Sequence, residues 1–266
     1  GEVVAEWVYA VVAPFPPIAA EVSSATLQAA WQGDSTGPFA GAPLLMNEYT
    51  RQAFGALWGE PGPGAVEVVT ADELVDTAWA QQPSWAIVPF EELTPRWKVL
   101  AVDGQSPIGK SFDSASYALT LPITIAHDAI WPAYQDVGMS FPESNREANK
   151  LTTVLLTGVT ALVRATAWEM ERKGISYPAE DVGDVMREAD ITHISNEVPF
   201  AENCPPPDPG QRTLVFCSDA SYIELLETLG TDVVELTGDH FNDWTRAAME
   251  YTLEVYRQHG WPYYGG

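Results

Sequence analysis

The sequence predicts an α/β protein. Three observations predict it. Short apolar, β-branched runs alternate with amphipathic stretches along most of the chain. The amphipathic stretches open on capping residues or proline and close on glycine. In the second half, the strand-like runs end in turns that carry polar or charged residues, as parallel strands do at their carboxyl edge.

In the first half, residues 6–15 are rich in Val, Ala, Trp and Tyr and read as a strand. A helical pattern follows through Ile18, Val22, Leu27 and Trp31 and closes on Gly33. Residues 43–46 form a short strand, and Asn47 caps a helix to residue 58 with Tyr49, Phe54 and Leu57 on its apolar side. After a Pro/Gly break at 60–64, a strand spans 65–69, and Thr70 caps a helix that buries Leu74, Val75 and Trp79. Residues 85–89, 97–102 and 117–125 are strands, with a turn at Asp103-Gly104. Asn47, Thr50 and Thr70, at helix starts, either cap those helices or offer donors to an anion. Residues 127–150 lose periodicity and read as a linker, pinned by Trp131 and Tyr134.

In the second half, residues 151–157 read as a buried strand turned by Gly158-Val159. A helix follows with Leu162, Val163, Thr166 and Met170 inward, ended by Gly174. Pro178 starts another, with Val182, Val185, Met186 and Ala189 inward, and residues 190–195 form a strand. Residues 213–216 are extended. Ser218 or Asp219 caps a helix bearing Tyr222, Leu225, Leu226 and Leu229, and residues 233–236 are the next strand. Asn242 or Asp243 caps a helix with Ala248, Thr252, Val255 and Tyr256, before a last strand at Tyr263-Tyr264.

A length of 266 residues suits two domains, and 46% hydrophobic residues suffice for real cores. Thirty-seven acidic against thirteen basic residues give a formal charge of −24, which repels nucleic acid and anionic membranes. Solubility is the plain consequence; attraction of cations is the sharper one. No apolar run reaches the length of a membrane span. Gly1-Glu2-Val3-Val4 lacks the basic start and cleavage-type end of a signal peptide, so an exported protein would have lost that segment.

Cys204 and Cys217 bracket the turn-rich Pro205-Pro206-Pro207-Asp208-Pro209-Gly210. A disulfide between them would stabilise by roughly 3 kcal/mol and imply an oxidising compartment. The alternatives are two free thiols, or a metal site for which no nearby histidine is present. If the second-half strands are parallel, Gly158-Val159, Asn196-Glu197 and Gly238-Asp239-His240 share one rim. That rim collects Glu197, Asp239, His240 and Asp243, a set suited to a divalent cation or to acid–base work. The plainer alternative has Asp239 and Asp243 capping the next helix and His240 packing.

Two resemblances follow from these residues. The opening strand-Pro-helix, Trp85-Ala86-Ile87-Val88-Pro89-Phe90 after a helix, and Leu100-Ala101-Val102-Asp103-Gly104-Gln105-Ser106-Pro107 followed by Ser116-Tyr117-Ala118-Leu119 resemble periplasmic substrate-binding proteins of the phosphate-binding class. Thr157-Gly158-Val159, Ser195-Asn196-Glu197-Val198-Pro199 and Thr237-Gly238-Asp239-His240-Phe241-Asn242-Asp243, then Trp261-Pro262-Tyr263-Tyr264-Gly265-Gly266, resemble the CapA family of poly-γ-glutamate capsule synthesis. That family has the calcineurin-like metallophosphatase fold. The expected organisation is a reduced binding-protein-like α/β domain over 1–126, a linker over 127–150 and a truncated CapA-like α/β domain with a parallel sheet over 151–266.

The CapA resemblance implies an exported cell-surface protein whose partner is a small molecule or an anionic polymer. It implies a divalent metal (Mn, Fe or Zn) held by Glu197 and Asp239, with His240 as proton donor or stabiliser of developing charge in metal-assisted hydrolysis at phosphorus or a related centre. The departures are Val159 where the family has a ligating Asp, Asp239 for an Asn, and Ser195 for another Asn. The later histidines of a two-metal site are absent, which points to a fragment or a reduced fold. The competing expectations are a non-catalytic extracellular small-ligand binding module and a structural fragment without activity of its own.

Overall fold

The structure is a computed structural model that describes residues 2–15, 17, 19–34, 37–39, 41–125 and 142–265. Ile18, Trp131 and Tyr134, invoked above, lie outside the described residues. The chain divides into two compact units, Gly1–Leu151 and Thr152–Gly266. Both are α/β, and none of their described helices is long and apolar enough to cross a membrane.

The first unit is built on β1 (Glu2–Pro14). Its run of Val and Ala alternates between two cores. Tyr9, Val11 and Ala13 join one, and Ala10 and Val12 the other, so the strand is buried on both faces. The remaining strands are β2 (Glu21–Val22), β3 (Leu44–Met46), β4 (Val66–Val68), β5 (Trp85–Pro89), β6 (Trp97–Val102) and β7 (Thr120–Ile125). They order as β2-β6-β1-β5-β3-β4, with β7 also on β1. β1 runs antiparallel to β5, β6 and β7, while β3 is parallel to both β4 and β5.

Helices α1 (Ser24–Trp31) and α2 (Glu48–Trp58) cover one face, and α3 (Ala71–Ala80) covers the other. α1 starts later than its apolar spacing suggests, because Ser23 accepts from the Thr26 N–H and sets the first turn there. Asn47 caps α2 through the Thr50 N–H at 2.8 Å. Only Phe54 of the three apolar α2 residues turns fully inward; Tyr49 is 83% exposed and Leu57 is exposed too. Trp79 of α3 lies at the surface, with Arg96 over its ring. Residues 142–150, part of the stretch read as a linker, pack on the first unit. The Asn145 side chain accepts from the Val8 N–H at 2.7 Å and donates to the Val8 carbonyl at 2.9 Å, as a neighbouring strand would.

The second unit is a parallel sheet of β8 (Val154–Val159), β9 (Ile191–Ser195), β12 (Val233–Glu235) and β13 (Tyr263–Tyr264), in the order β13-β12-β9-β8. A two-stranded parallel pair, β10 (Phe200–Ala201) and β11 (Ser218–Asp219), stands apart. Helices α4 (Arg164–Lys173), α5 (Gly183–Glu188), α6 (Ile223–Thr228) and α7 (Arg246–Gln258) share a core with Ile194, Val234 and Leu236 through Met170, Met186, Leu225, Leu226 and Tyr256.

Several expectations are corrected here. β8 is not a fully buried strand. Val154 and Leu156 are exposed, Leu156 by 68%, while Leu155 packs on the core. Gly158-Val159 continues β8 rather than turning it, because Val159 pairs in register with Ser195. Val182 and Val185 are exposed, and the chain from Tyr177 makes a 3-10 turn before the shorter α5. Neither Asn242 nor Asp243 caps α7. Thr245 does, accepting from the Ala248 N–H at 3.0 Å, a cap worth about 1 kcal/mol. Cys204 and Cys217 are disulfide-bonded across a sequence separation of 13.

Phe54 is fully buried among Tyr9, Trp31 and Trp58. Phe54→Ala is expected to cost about 3–5 kcal/mol in chemical denaturation. Tyr49→Ala, on the same helix, is expected to stay within about 0.5 kcal/mol of the parent. Cys204→Ser/Cys217→Ser is expected to cost about 3 kcal/mol, matched by reducing the parent protein in the same assay.

Candidate metal and acid–base site

The site grows from the pairing of β9 with β12. Their register sets Ser195 opposite Glu235, and the Asn196 N–H extends the ladder to the Glu235 carbonyl at 2.9 Å. Asn196 is fully buried. Its Nδ2 donates to the Val198 carbonyl at 3.1 Å and to the Tyr256 hydroxyl at 2.7 Å. The loop is thereby tied to α7, and Glu197 leaves it beside the turn that follows β12.

That turn is Gly238-Asp239-His240. Gly238 has φ of +144°, a conformation that side-chain-bearing residues seldom adopt. A Cβ there would also fall 2.6 Å from the Cβ of Glu197 and collide with its carboxylate. Glycine therefore supplies both the bend and the space that the Glu197 side chain occupies. One ligand atom each from Glu197, Asp239 and His240 lies within 4.8 Å of the others. Glu197 and His240 are partly buried and Asp239 is 91% exposed, so the cluster opens to solvent.

His240 is held from behind. Its Nδ1 lies 2.7 Å from Asp243 Oδ2, and that same oxygen accepts the Phe216 N–H at 2.9 Å. The Phe216 ring meets the imidazole edge-on, with centroids 4.8 Å apart. Nε2, 3.3 Å from Asp239 Oδ1, is the nitrogen left to face the carboxylates. Partial burial pulls the imidazole pKa down. The Asp243 hydrogen bond and the charges of Asp243, Asp239 and Glu197 outweigh it and leave the pKa above its ordinary value.

The structure thus brings Glu197, Asp239, His240 and Asp243 into one locality. Val159 shares the rim through its register with Ser195 but offers no donor atom. Cys204 and Cys217 form their disulfide rather than a ligand pair. Two supporting residues went unread in the sequence, Asn196 as the buried anchor and Phe216 as the wall behind the imidazole. Thr245 was legible in principle, since a threonine immediately before a helical run that opens Arg246-Ala247-Ala248 is an N-cap signal. In the first unit two of the candidate donors at the helix starts, Asn47 and Thr70, are already engaged. The Asn47 Nδ2 donates to the Glu92 carboxylate at 3.2 Å, and Thr70 Oγ1 donates to Glu73 at 2.7 Å.

In the metal-free protein, His240 is expected to titrate above 6.5 by NMR, and Asp243→Asn to bring its midpoint below that of the parent. The folded pKa lies above the unfolded one. The stabilising contribution of charged His240 is therefore complete below the unfolded pKa and fades as pH rises through the folded value. An Asp243→Asn midpoint equal to the parent's would remove Asp243 from this role.

No curated protein matches the chain. Among solved structures, it is similar to an ABC-type phosphate transport receptor from Vibrio cholerae, at 13% identity and a TM-score of 0.43, over 52% of this chain and 64% of that one. It is also similar to a putative phosphate ABC transporter substrate-binding protein with bound phosphate from Clostridium perfringens, at 13% identity and a TM-score of 0.37, over 46% of this chain and 55% of that one. A third is a possible phosphate binding protein from Planctomyces limnophilus DSM 3776, at 12% identity and a TM-score of 0.33, over 85% and 70%. The chain thus spans less than two thirds of the length of the first two of these proteins. Residues 153–266, the part that carries the Glu197, Asp239 and His240 cluster, match the family described as bacterial capsule synthesis protein PGA_cap, in line with the CapA resemblance of the sequence.

Proposed function

We propose that the second unit is a CapA-like module of an exported protein that serves capsule or anionic-polymer synthesis, and that it holds a single divalent cation. The observation that carries the proposal is the convergence of Glu197, Asp239 and His240 from two loops of one parallel sheet, within the stretch that matches the capsule synthesis family. The donor chemistry fits such an ion. The two carboxylates supply the oxygen donors for a divalent ion such as Mn, Fe or Zn, and Gly238 leaves the room that the Glu197 carboxylate needs. Val159 contributes no ligand, which favours one cation over two. Export is supported by the disulfide, which persists in oxidising compartments.

In this reading Glu197 and Asp239 hold the cation. A bound ion would supply Lewis-acid polarisation of a phosphoryl or related oxygen. The chain's own residues orient and move a proton. Asp243 fixes the ring of His240 through Nδ1, and Nε2 presents the proton to the leaving group or to developing negative charge. Phe216 keeps solvent from one side of the imidazole. The wide exposure of Asp239 leaves room for an extended substrate such as a polymer end.

Metal analysis after loading with Mn, Fe or Zn is expected to give about one equivalent per chain, lost in Asp239→Ala and in Glu197→Gln. Gly238→Ala, which drives a Cβ into Glu197, is expected to lower metal affinity by about tenfold or more while the fold persists. His240→Gln is expected to retain the ion and lose hydrolysis. Loss of metal as complete as in Asp239→Ala would make His240 a ligand instead and sink its assignment as the acid.

A further inference from the structure

A second site lies in the same unit, built from different residues. A cavity of about 270 Å³ opens between the disulfide loop, the start of α4 and the loop after β12. Its walls are apolar and aromatic, formed by Leu162, Pro206, the Cys204–Cys217 bridge, Tyr222 and Trp244. Two charged residues also line it, Arg164 and Asp219.

The state of Arg164 is unusual for this protein. The chain is strongly acidic, and Arg51, Arg96, Arg172, Arg187, Arg246 and Arg257 each meet a carboxylate. Arg164 meets none among the described residues, nor does Arg212, whose chain neighbours Gln211 and Thr213 line the same cavity. Arg164 is also held in the left-handed backbone region, at φ of 51°, one of two such non-glycine residues among those described. Asp219 uses Oδ1 to accept from the N–H and hydroxyl of Ser221, at 2.9 and 2.6 Å. Its other oxygen has no partner among the described residues. Although they line one cavity, Arg164 and Asp219 form no ion pair with each other. The Tyr222 hydroxyl is spent on Glu171, so that ring offers the cavity only its apolar surface.

Opposite charges held apart over apolar walls are complementary to a small zwitterion with an apolar side group. We propose that this cavity binds the α-amino and α-carboxylate groups of a free amino acid carrying an apolar or aromatic side chain. The planar guanidinium of Arg164 receives the carboxylate, which it matches in a two-pronged geometry. The free oxygen of Asp219 receives the ammonium. Trp244, Tyr222 and the proline run receive the side chain. The volume suits a solute of this size, below the roughly 300–1,000 Å³ typical of sites for drug-sized ligands. None of these residues belongs to the Glu197, Asp239 and His240 cluster, so the proposal stands or falls separately from the metal reading.

The test is calorimetric titration of the full, disulfide-bonded chain with L-phenylalanine and L-leucine, and with N-acetyl-phenylalanine and phenylalanine methyl ester. Saturable binding of the free amino acids in the millimolar range or tighter is expected. Each blocked derivative, lacking one of the two charges, is expected to bind at least about tenfold more weakly. Arg164→Asn removes the guanidinium with a residue that tolerates left-handed backbone, and Asp219→Asn removes the charge while keeping the acceptor for Ser221. Each is expected to cost about tenfold in affinity for phenylalanine with unchanged circular dichroism and melting. Absence of saturable binding to either amino acid, equal binding of a blocked derivative, or unchanged affinity in a folded Arg164→Asn variant would overturn the proposal.

Discussion

Parallel pairing of β9 with β12 is the constraint on which the second unit depends. Two strands that run the same way must end at the same edge, so the loops that leave them start side by side. Here the register sets Ser195 against Glu235, and one further hydrogen bond carries the pairing to Asn196. The buried amide of Asn196 then binds the hydroxyl of Tyr256 on α7. Glu197 consequently leaves a loop tied to both β12 and α7. A one-residue slip in that register would flip every side chain of β12 and remove Val234 from the core.

The second constraint is the turn after β12. Gly238 adopts a backbone conformation that leaves Glu197 its room, and the next two residues bring Asp239 and His240 to the same place. The capping of α7 by Thr245 has a consequence for chemistry. Because the helix does not draw on Asp243, that carboxylate is available to hold His240 and the Phe216 backbone together. A local helix-capping choice thereby frees the residue that orients the imidazole and raises its pKa.

The first unit answers to a different logic. Its long central strand is buried on both faces by helices, and the Asn47 amide and Thr70 hydroxyl at its helix starts are taken by carboxylates of the same chain. In the second unit the described helices pack on one face of the sheet, and Val154, Leu156 and Tyr264 are exposed.

The amino-acid sequence by itself determined the α/β class, most strands and several caps, because these rest on local physics. Apolar runs of four to six residues bounded by Gly, Pro or Asn have few alternatives to a strand. Asn47 placed before an amphipathic stretch reads as a cap without any tertiary information. The family motifs were legible for the same reason, since Asn196-Glu197 and Gly238-Asp239-His240 are contiguous in the chain. The faces of elements were less legible. Residues 151–157 are apolar enough to suggest burial on both sides, and only packing decides that Leu155 is in and Leu156 is out. Likewise Asp243 could cap the helix or join the rim cluster on sequence alone, and the competition with Thr245 is settled by where α7 begins. Contacts across the chain were beyond reach altogether. Asn196 finds Tyr256 sixty residues away, and Arg164 comes to share a cavity with Asp219, because the crossovers of a parallel sheet fold distant segments onto one edge. That juxtaposition is a property of strand order and register, which no local pattern encodes.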